Sequence, residues 1–185
     1  MFNAFYPKEY VDSAYVIPYE DFYDKGIRGV IFDIDNTLVP HGAPADERAV
    51  ALFKRLWKMG LETCLMSNNK EPRVSSFASQ VGSRYLYKAG KPGMKGYKKA
   101  MELMKTDRAS TLFVGDQLFT DVYGANRLGI YGILVKPIHP KEEIQIVIKR
   151  RLEWIVLYFY NRDKRKTEKK ENFRRGRDSE YGRKN

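Results

Sequence analysis

Soft metal ligands are nearly missing from this chain of 185 residues, which holds one cysteine, Cys64, and two histidines, His41 and His139. A lone cysteine closes no internal disulfide, and these three residues make no thiolate or imidazole metal cluster. Any metal must therefore be held by oxygen ligands, carboxylates above all. Long apolar runs are missing too: nothing approaches the roughly 18 consecutive apolar residues of a membrane-spanning helix. Lys8 and Glu9 precede any apolar run, so no secretory signal is visible. No internal repeat is present. These absences predict a cytosolic protein with oxygen-ligand chemistry.

What is present is a core and a charge imbalance. Hydrophobic residues make up 43% of the chain, enough to bury a core at single-domain size. The net charge is +11, from 34 basic and 23 acidic residues. From Asn161 onward there are 11 Lys/Arg and 5 Asp/Glu, a net of +6, leaving +5 for residues 1–160. In that tail only Phe173 and Tyr181 are bulky and apolar, so a solvated, poorly ordered segment is expected. It is either a solubilising tail or an attraction to an anionic partner, lipid or nucleic acid.

Short apolar runs alternate with helix-period segments. Strands are predicted at 29–32 (GVIF), 61–66 (LETCLM), 84–87, 111–114 (TLFV) and 132–135 (GILV). Helices are predicted over 46–58, 71–81, 94–104 and 119–128; the first carries a stripe of Ala49, Leu52, Phe53, Leu56 and Trp57 ended by Gly60. Strands separated by helices imply βαβ units, hence an α/β fold with a doubly wound parallel sheet of about five strands. Cys64 inside a strand reads as a small buried apolar group. His41 and His139 stand beside Gly or Pro and read as loop residues. The tyrosine-rich segment 1–28 reads as a lead-in packed on the sheet, 29–138 as the core, 139–160 as an amphipathic helix and 161–185 as the basic tail. That helix could cover the sheet or lie in a membrane interface with Trp154, Tyr158 and Tyr160 at headgroup level.

The chemistry lies at strand ends. Asp33 and Asp35, in FDIDNTLV, leave the first core strand, and Asp116, in FVGDQLFTD, leaves a later one with Asp121 five residues on. In an open α/β sheet, ligands bind at the carboxyl ends of strands where strand order reverses. Acids at two such ends converge if their strands are neighbours. Ser67 and Asn68 end the second strand before a helix opened by Glu71-Pro72, where a hydroxyl and free N–H groups can hold phosphate oxygens. Lys91, in KAGKPG, follows the third strand and can neutralise phosphate charge. Singly, Ser67 reads as a helix cap and Lys91 as a surface charge. Four such signals in order after successive strands are hard to attribute to chance.

With DIDNT at 33–37, SNN at 67–69, Lys91 before Pro92 and GDQLFTD at 115–121, the sequence resembles the haloacid dehalogenase (HAD) superfamily of aspartate-nucleophile phosphatases. The resemblance covers residues 29–135. FDIDNTLVP, MSNNK, KAGKP and VGDQLFTDVYGANRLG look like its subclass IIIA, YqeG-like branch, which is similar to the mitochondrial phosphatidylglycerophosphate phosphatase.

The resemblance implies that Asp33 is the nucleophile and Asp35 the acid and base that serves the leaving alcohol and then water. It implies Mg²⁺ on the Asp33 carboxylate, the Asp35 backbone carbonyl and Asp116. Ser67, the backbone at Asn68 and Lys91 would bind the remaining phosphate oxygens, with Asp121 and Thr37 in support. The intervals from Asp35 to Ser67 and from Ser67 to Lys91 are too short for a cap domain, so the site should be open to bulky substrates. Phosphatidylglycerophosphate at an anionic membrane surface is the expected substrate, with the protein peripherally bound there. Two alternatives stand beside it: a soluble phosphomonoester or nucleic-acid phosphate end as substrate, and a non-catalytic RNA-binding protein with a vestigial site.

Overall fold

The computed structural model describes residues 3–139 and 153–166. The chain divides into two compact units, Met1–Glu143 and Ile144–Asn185. The first carries a parallel sheet of β1 (Glu9–Val11), β2 (Gly29–Phe32), β3 (Glu62–Met66), β4 (Arg84–Leu86), β5 (Thr111–Gly115) and β6 (Tyr131–Val135) in the order β1-β6-β5-β2-β3-β4. It has six strands where about five were expected. The sixth is β1, supplied by the lead-in and paired with β6 alone in the register Glu9↔Ile133 to Val11↔Val135. An edge strand of three residues needs no continuous apolar run, so nothing in the periodicity marks it.

The sheet has an apolar layer on each side. Val30 and Phe32 of β2, with Leu65, Leu112 and Val114, pack with residues of α1 (Tyr19–Asp24), α2 (Glu47–Lys58) and α3 (Glu71–Val81). Ile31, Cys64, Met66 and Phe113 point the other way, toward α4 (Met94–Met104) and α5 (Tyr123–Leu128). This alternation follows from the two-residue period of a strand buried on both faces. Asp46 caps α2 by accepting the Ala49 N–H at 2.8 Å, and Gly82 (φ 69°) ends α3 in the left-handed region. Trp57, placed by its spacing on the buried stripe of α2, is instead 78% exposed at the last turn of the helix. The helix predicted over 119–128 is a π-helical turn at Leu118–Val122 running into α5.

Cys64 is fully buried, and burial pushes its thiol up to about 12 against a weaker opposite pull from Arg84. A group raised on folding contributes stability that is complete below its unfolded pKa near 9 and is lost as pH rises toward 12. The folded protein should therefore resist thiol reagents at pH 8, and Cys64→Ala should lessen the fall in stability between about pH 9 and 12. Unfolding midpoints across that range check this; equal pH slopes for both proteins would contradict it.

In the second unit the described residues 153–166 form one helix, α6. Trp154, Ile155 and Tyr158 are exposed on it, Trp154 stacks on Tyr158, and the Arg162 guanidinium lies 4.8 Å from the Phe159 ring centre. Residues 161–166, expected to begin an unordered tail, continue this helix. The first part of the expected helix (140–152) and the rest of the tail (167–185) lie outside the described residues. Among the described residues no helix is long and apolar enough to cross a membrane.

Candidate active site

Strand order reverses at β2. The chain goes from β2 to β3 and β4 on one side, then returns to lay β5 against the other. Phe32 pairs with Val114, and the Asp33 N–H bonds the Val114 carbonyl at 2.9 Å, so Asp33 and Asp116 emerge side by side. Thr37 bridges them, its hydroxyl 3.4 Å from Asp33 Oδ2 and 3.3 Å from Asp116 Oδ1. No domain interrupts the β2–β3 or β3–β4 connections, which hold only α2 and α3 with their loops.

Lys91 reaches in from the loop after β4. Its ammonium bonds Asp33 Oδ1 at 2.5 Å and Asp121 Oδ1 at 2.7 Å, with all three side chains buried. Burial alone would push the lysine down, but Asp121 and then Asp33 outweigh it and hold the ammonium above its ordinary range. Burial likewise raises the Asp33 carboxyl against the pull of Lys91. The two shifts express one fact: the carboxylates are costly to bury, and Lys91 is what holds their charge.

Asp121 is placed by its surroundings. Its Oδ2 accepts the Gln117 N–H at 3.0 Å, and a Cβ on Gly115 would stand 2.4 Å from that same oxygen. Only glycine leaves room for the carboxylate there. Below it, the Tyr97 hydroxyl lies 2.9 Å from the carbonyls of Thr120 and Asp121, and a Cβ on Gly124 would meet that hydroxyl at 2.3 Å. Tyr97 thus props the π-helical turn. Gly115→Ala should displace Asp121 and lower activity by about 10-fold or more, read as phosphate release under saturating metal. Activity equal to the parent protein would contradict the fit described.

Ser67, Asn68 and Asp35 complete the rim. The Ser67 hydroxyl oxygen accepts the Asn69 N–H at 3.1 Å, which leaves its own hydrogen to donate. The Asn68 side chain is engaged with the Lys91 backbone, donating to its carbonyl at 3.1 Å and accepting its N–H at 2.8 Å. It ties two loops together. The Asp35 carboxylate is held by its own set of partners. Oδ1 accepts from the Gly42 N–H (2.8 Å) and Arg73 (2.9 Å), Oδ2 from Asn69 (2.7 Å), and exposed His41 stands 4.0 Å away.

Carboxylate oxygens of Asp33, Asp116 and Asp121 lie within 4.8 Å of one another. The expected metal set of Asp33, Asp116 and the Asp35 backbone carbonyl shares its two carboxylates with this cluster, whose third carboxylate is Asp121. Three carboxylates against one ammonium leave a charge of −2, which matches a hard divalent cation held by oxygen. A groove of about 940 Å³ lined by Phe53, Trp57, Gln80 and Arg84 opens at the amino ends of β3 and β4, the opposite end of the sheet from these acids. It plays no part in the site.

Sequence reasoning missed Arg73, Gly42 and Tyr97. Arg73 sits in the first turn of the helix after the SNN motif, where side chains lean back toward the sheet end, and that position is the signal that could have found it.

Comparison with known proteins agrees with this geometry. The family model described as HAD-hydrolase-like matches residues 88–145. Probable phosphatase YqeG of Bacillus subtilis (strain 168) is 34% identical over 154 residues, covering 83% of this chain and 90% of that one. Phosphatidylglycerophosphate phosphatase 1, chloroplastic/mitochondrial, of Arabidopsis thaliana is 28% identical over 168 residues, 82% of this chain and 47% of that one. The chain therefore spans about half the length of that relative. A hypothetical protein of Xanthomonas campestris superposes with a TM-score of 0.51 at 15% identity, covering 70% of this chain and 75% of the other. An uncharacterized protein of Corynebacterium glutamicum gives 0.50 at 20% identity, covering 69% and 94%. These last two show the shared fold.

Proposed function

Since the chain belongs to the HAD superfamily, among its YqeG-like phosphatases, we propose that it hydrolyses phosphomonoesters through Asp33 and that its substrate is phosphatidylglycerophosphate. The observation that carries the first part is the pairing of Asp33 and Asp116 on adjacent strand ends, with Lys91 locked between Asp33 and Asp121.

Asp33 attacks phosphorus with a carboxylate oxygen while the bond to the leaving alcohol breaks, its electron pair passing to the alcohol oxygen. Asp35 gives that oxygen a proton. It then takes a proton from the water that attacks the aspartyl-phosphate, releasing inorganic phosphate and restoring Asp33. Ser67, the Asn68 backbone and Lys91 aim positive potential at the phosphoryl oxygens. Asp33, Asp116 and the Asp35 carbonyl would hold Mg²⁺, which when bound supplies the charge neutralisation that lets a carboxylate approach a phosphate dianion.

Support for the lipid comes from three sides. A relative acts on phosphatidylglycerophosphate by its name. The site has no cap, so an alcohol carrying acyl chains can stay outside. Aromatic residues and cations share α6, and the residues from Asn161 on carry net +6, as binding to an anionic bilayer surface requires. The protein would act there peripherally.

The test is Mg²⁺-dependent phosphate release from phosphatidylglycerophosphate in mixed micelles beside soluble phosphomonoesters and 5′-phosphorylated oligonucleotides. Preferred turnover of the lipid supports the reading. Better turnover of a soluble ester or oligonucleotide keeps the phosphatase and discards the lipid. Asp35→Asn should slow turnover by about 10²–10⁴-fold while Mg²⁺ affinity survives, because only its backbone faces the metal. Loss of Mg²⁺ affinity matching that of Asp116→Asn would sink the role given to Asp35.

A further inference from the structure

Arg73 is used less than its chemistry allows. A guanidinium offers five N–H donors in a planar fork suited to paired oxygens. Here it makes a single hydrogen bond to Asp35, from one terminal nitrogen to Oδ1. Its Nε–H is buried with no hydrogen-bond partner, a costly arrangement for a polar group. The side chain is 20% exposed and lies against the Phe77 ring, 5.4 Å from its centre.

Asp35 does not require this arginine to keep its place. Asn69 occupies Oδ2, and the Gly42 N–H shares Oδ1, so the fork cannot close on both oxygens. The pairing is one-sided because the carboxylate is already engaged. A cation held half-satisfied beside the residue assigned to the leaving group is set up for a second anion on the leaving-group side. The phosphoryl side has its own cation in Lys91, so the two charges serve different ends of the substrate.

We propose that Arg73 reads the leaving alcohol, pairing with a second anionic group, such as a phosphodiester, that the alcohol carries next to the phosphate being removed. This rests on the phosphatase reading above and narrows its substrate class. A glycerol-linked phosphodiester fits it, whether it comes from a lipid or from a water-soluble ester. In the resting protein the same guanidinium bonds Asp35; in the substrate complex it turns its fork to the incoming anion.

The experiment compares two water-soluble esters, with phosphatidylglycerophosphate in mixed micelles as a third substrate, using the full chain and Mg²⁺. One is glycerol 3-phosphate, whose leaving alcohol is neutral. The other is deacylated phosphatidylglycerophosphate, whose leaving alcohol carries a phosphodiester. The parent protein should prefer the second in kcat/KM. Arg73→Gln should lower kcat/KM on the second ester about 10-fold or more beyond its effect on the first, mainly through KM. Arg73→Lys should recover part of that difference, because it restores charge without the fork.

Equal losses on both esters would overturn the proposal and leave Arg73 as a residue that positions Asp35. An unchanged Arg73→Gln protein, or a parent protein without preference, would overturn it as well. No phosphate release from either ester or from the micellar lipid by the parent protein would overturn the phosphatase reading together with this one. Preference for the phosphodiester without preference for the acylated form would uphold Arg73 and discard only the lipid.

Discussion

Asp33→Asn is expected to lower phosphate release by at least about 10³-fold, with the fold intact. The amide is nearly isosteric and sits at the end of a central strand, where the Asp33 N–H to Val114 hydrogen bond belongs to the backbone and survives the change. What is lost is the attacking oxygen's charge and one carboxylate of the acidic cluster. Stability should move the other way. In the metal-free protein three buried carboxylates crowd one ammonium, and removing one charge relieves that crowding. The expected pattern is an inactive protein that melts at or above the parent temperature in EDTA and gains less from Mg²⁺. Rates of phosphate release and melting curves with and without Mg²⁺ check it. Residual activity above a hundredth of the parent would contradict the nucleophile assignment.

Lys91→Met should have the largest effect on stability. Its ammonium is the charge that balances Asp33 and Asp121, and all three side chains are almost fully removed from water. Breaking a buried ion pair by deleting one partner costs about 3–5 kcal/mol, because the remaining charge is left uncompensated. The cost should fall in acid. Burial already raises the Asp33 carboxyl against the pull of Lys91, so without the lysine stability is present at low pH and is lost as pH rises through the raised range of Asp33. Mg²⁺ should return part of it, since a ligand at about 100 times its Kd adds about 2.7 kcal/mol. Urea unfolding at pH 5 and pH 8, with EDTA or Mg²⁺, separates these contributions. Identical midpoints for variant and parent in EDTA at pH 8 would show that Lys91 does not carry the balance.

Much of this was legible in the sequence, and for a physical reason. Buried parallel strands must be apolar throughout, so GVIF and TLFV announce themselves, and polar residues that follow such runs must leave the sheet at its carboxyl end. Asp33, Ser67, Lys91 and Asp116 could be placed on that basis before any contact was known. β1 could not, because a three-residue edge strand is specified by pairing with β6 rather than by its own pattern. Trp57 defeated the periodicity because a stripe assigns a face and does not say where the sheet beneath the helix ends. The embrace of Asp35 by Gly42, Asn69 and Arg73 joins residues up to 38 apart. No local spacing encodes it.

The loop that follows the nucleophile is fastened from far away on both sides. The Tyr15 hydroxyl bonds the Leu38 carbonyl at 2.5 Å, and the Ile138 N–H bonds the Asn36 carbonyl at 3.0 Å. Chains are made from the amino end and domains fold as units during synthesis. A ribosome must therefore read a further 102 codons after Asn36 before the last clasp on that loop exists. Until then Asp33 and Asp35 have been translated, but the loop that follows them lacks its bond from Ile138. The nascent chain acquires its chemistry late, when the residue closing β6 onto the loop has emerged.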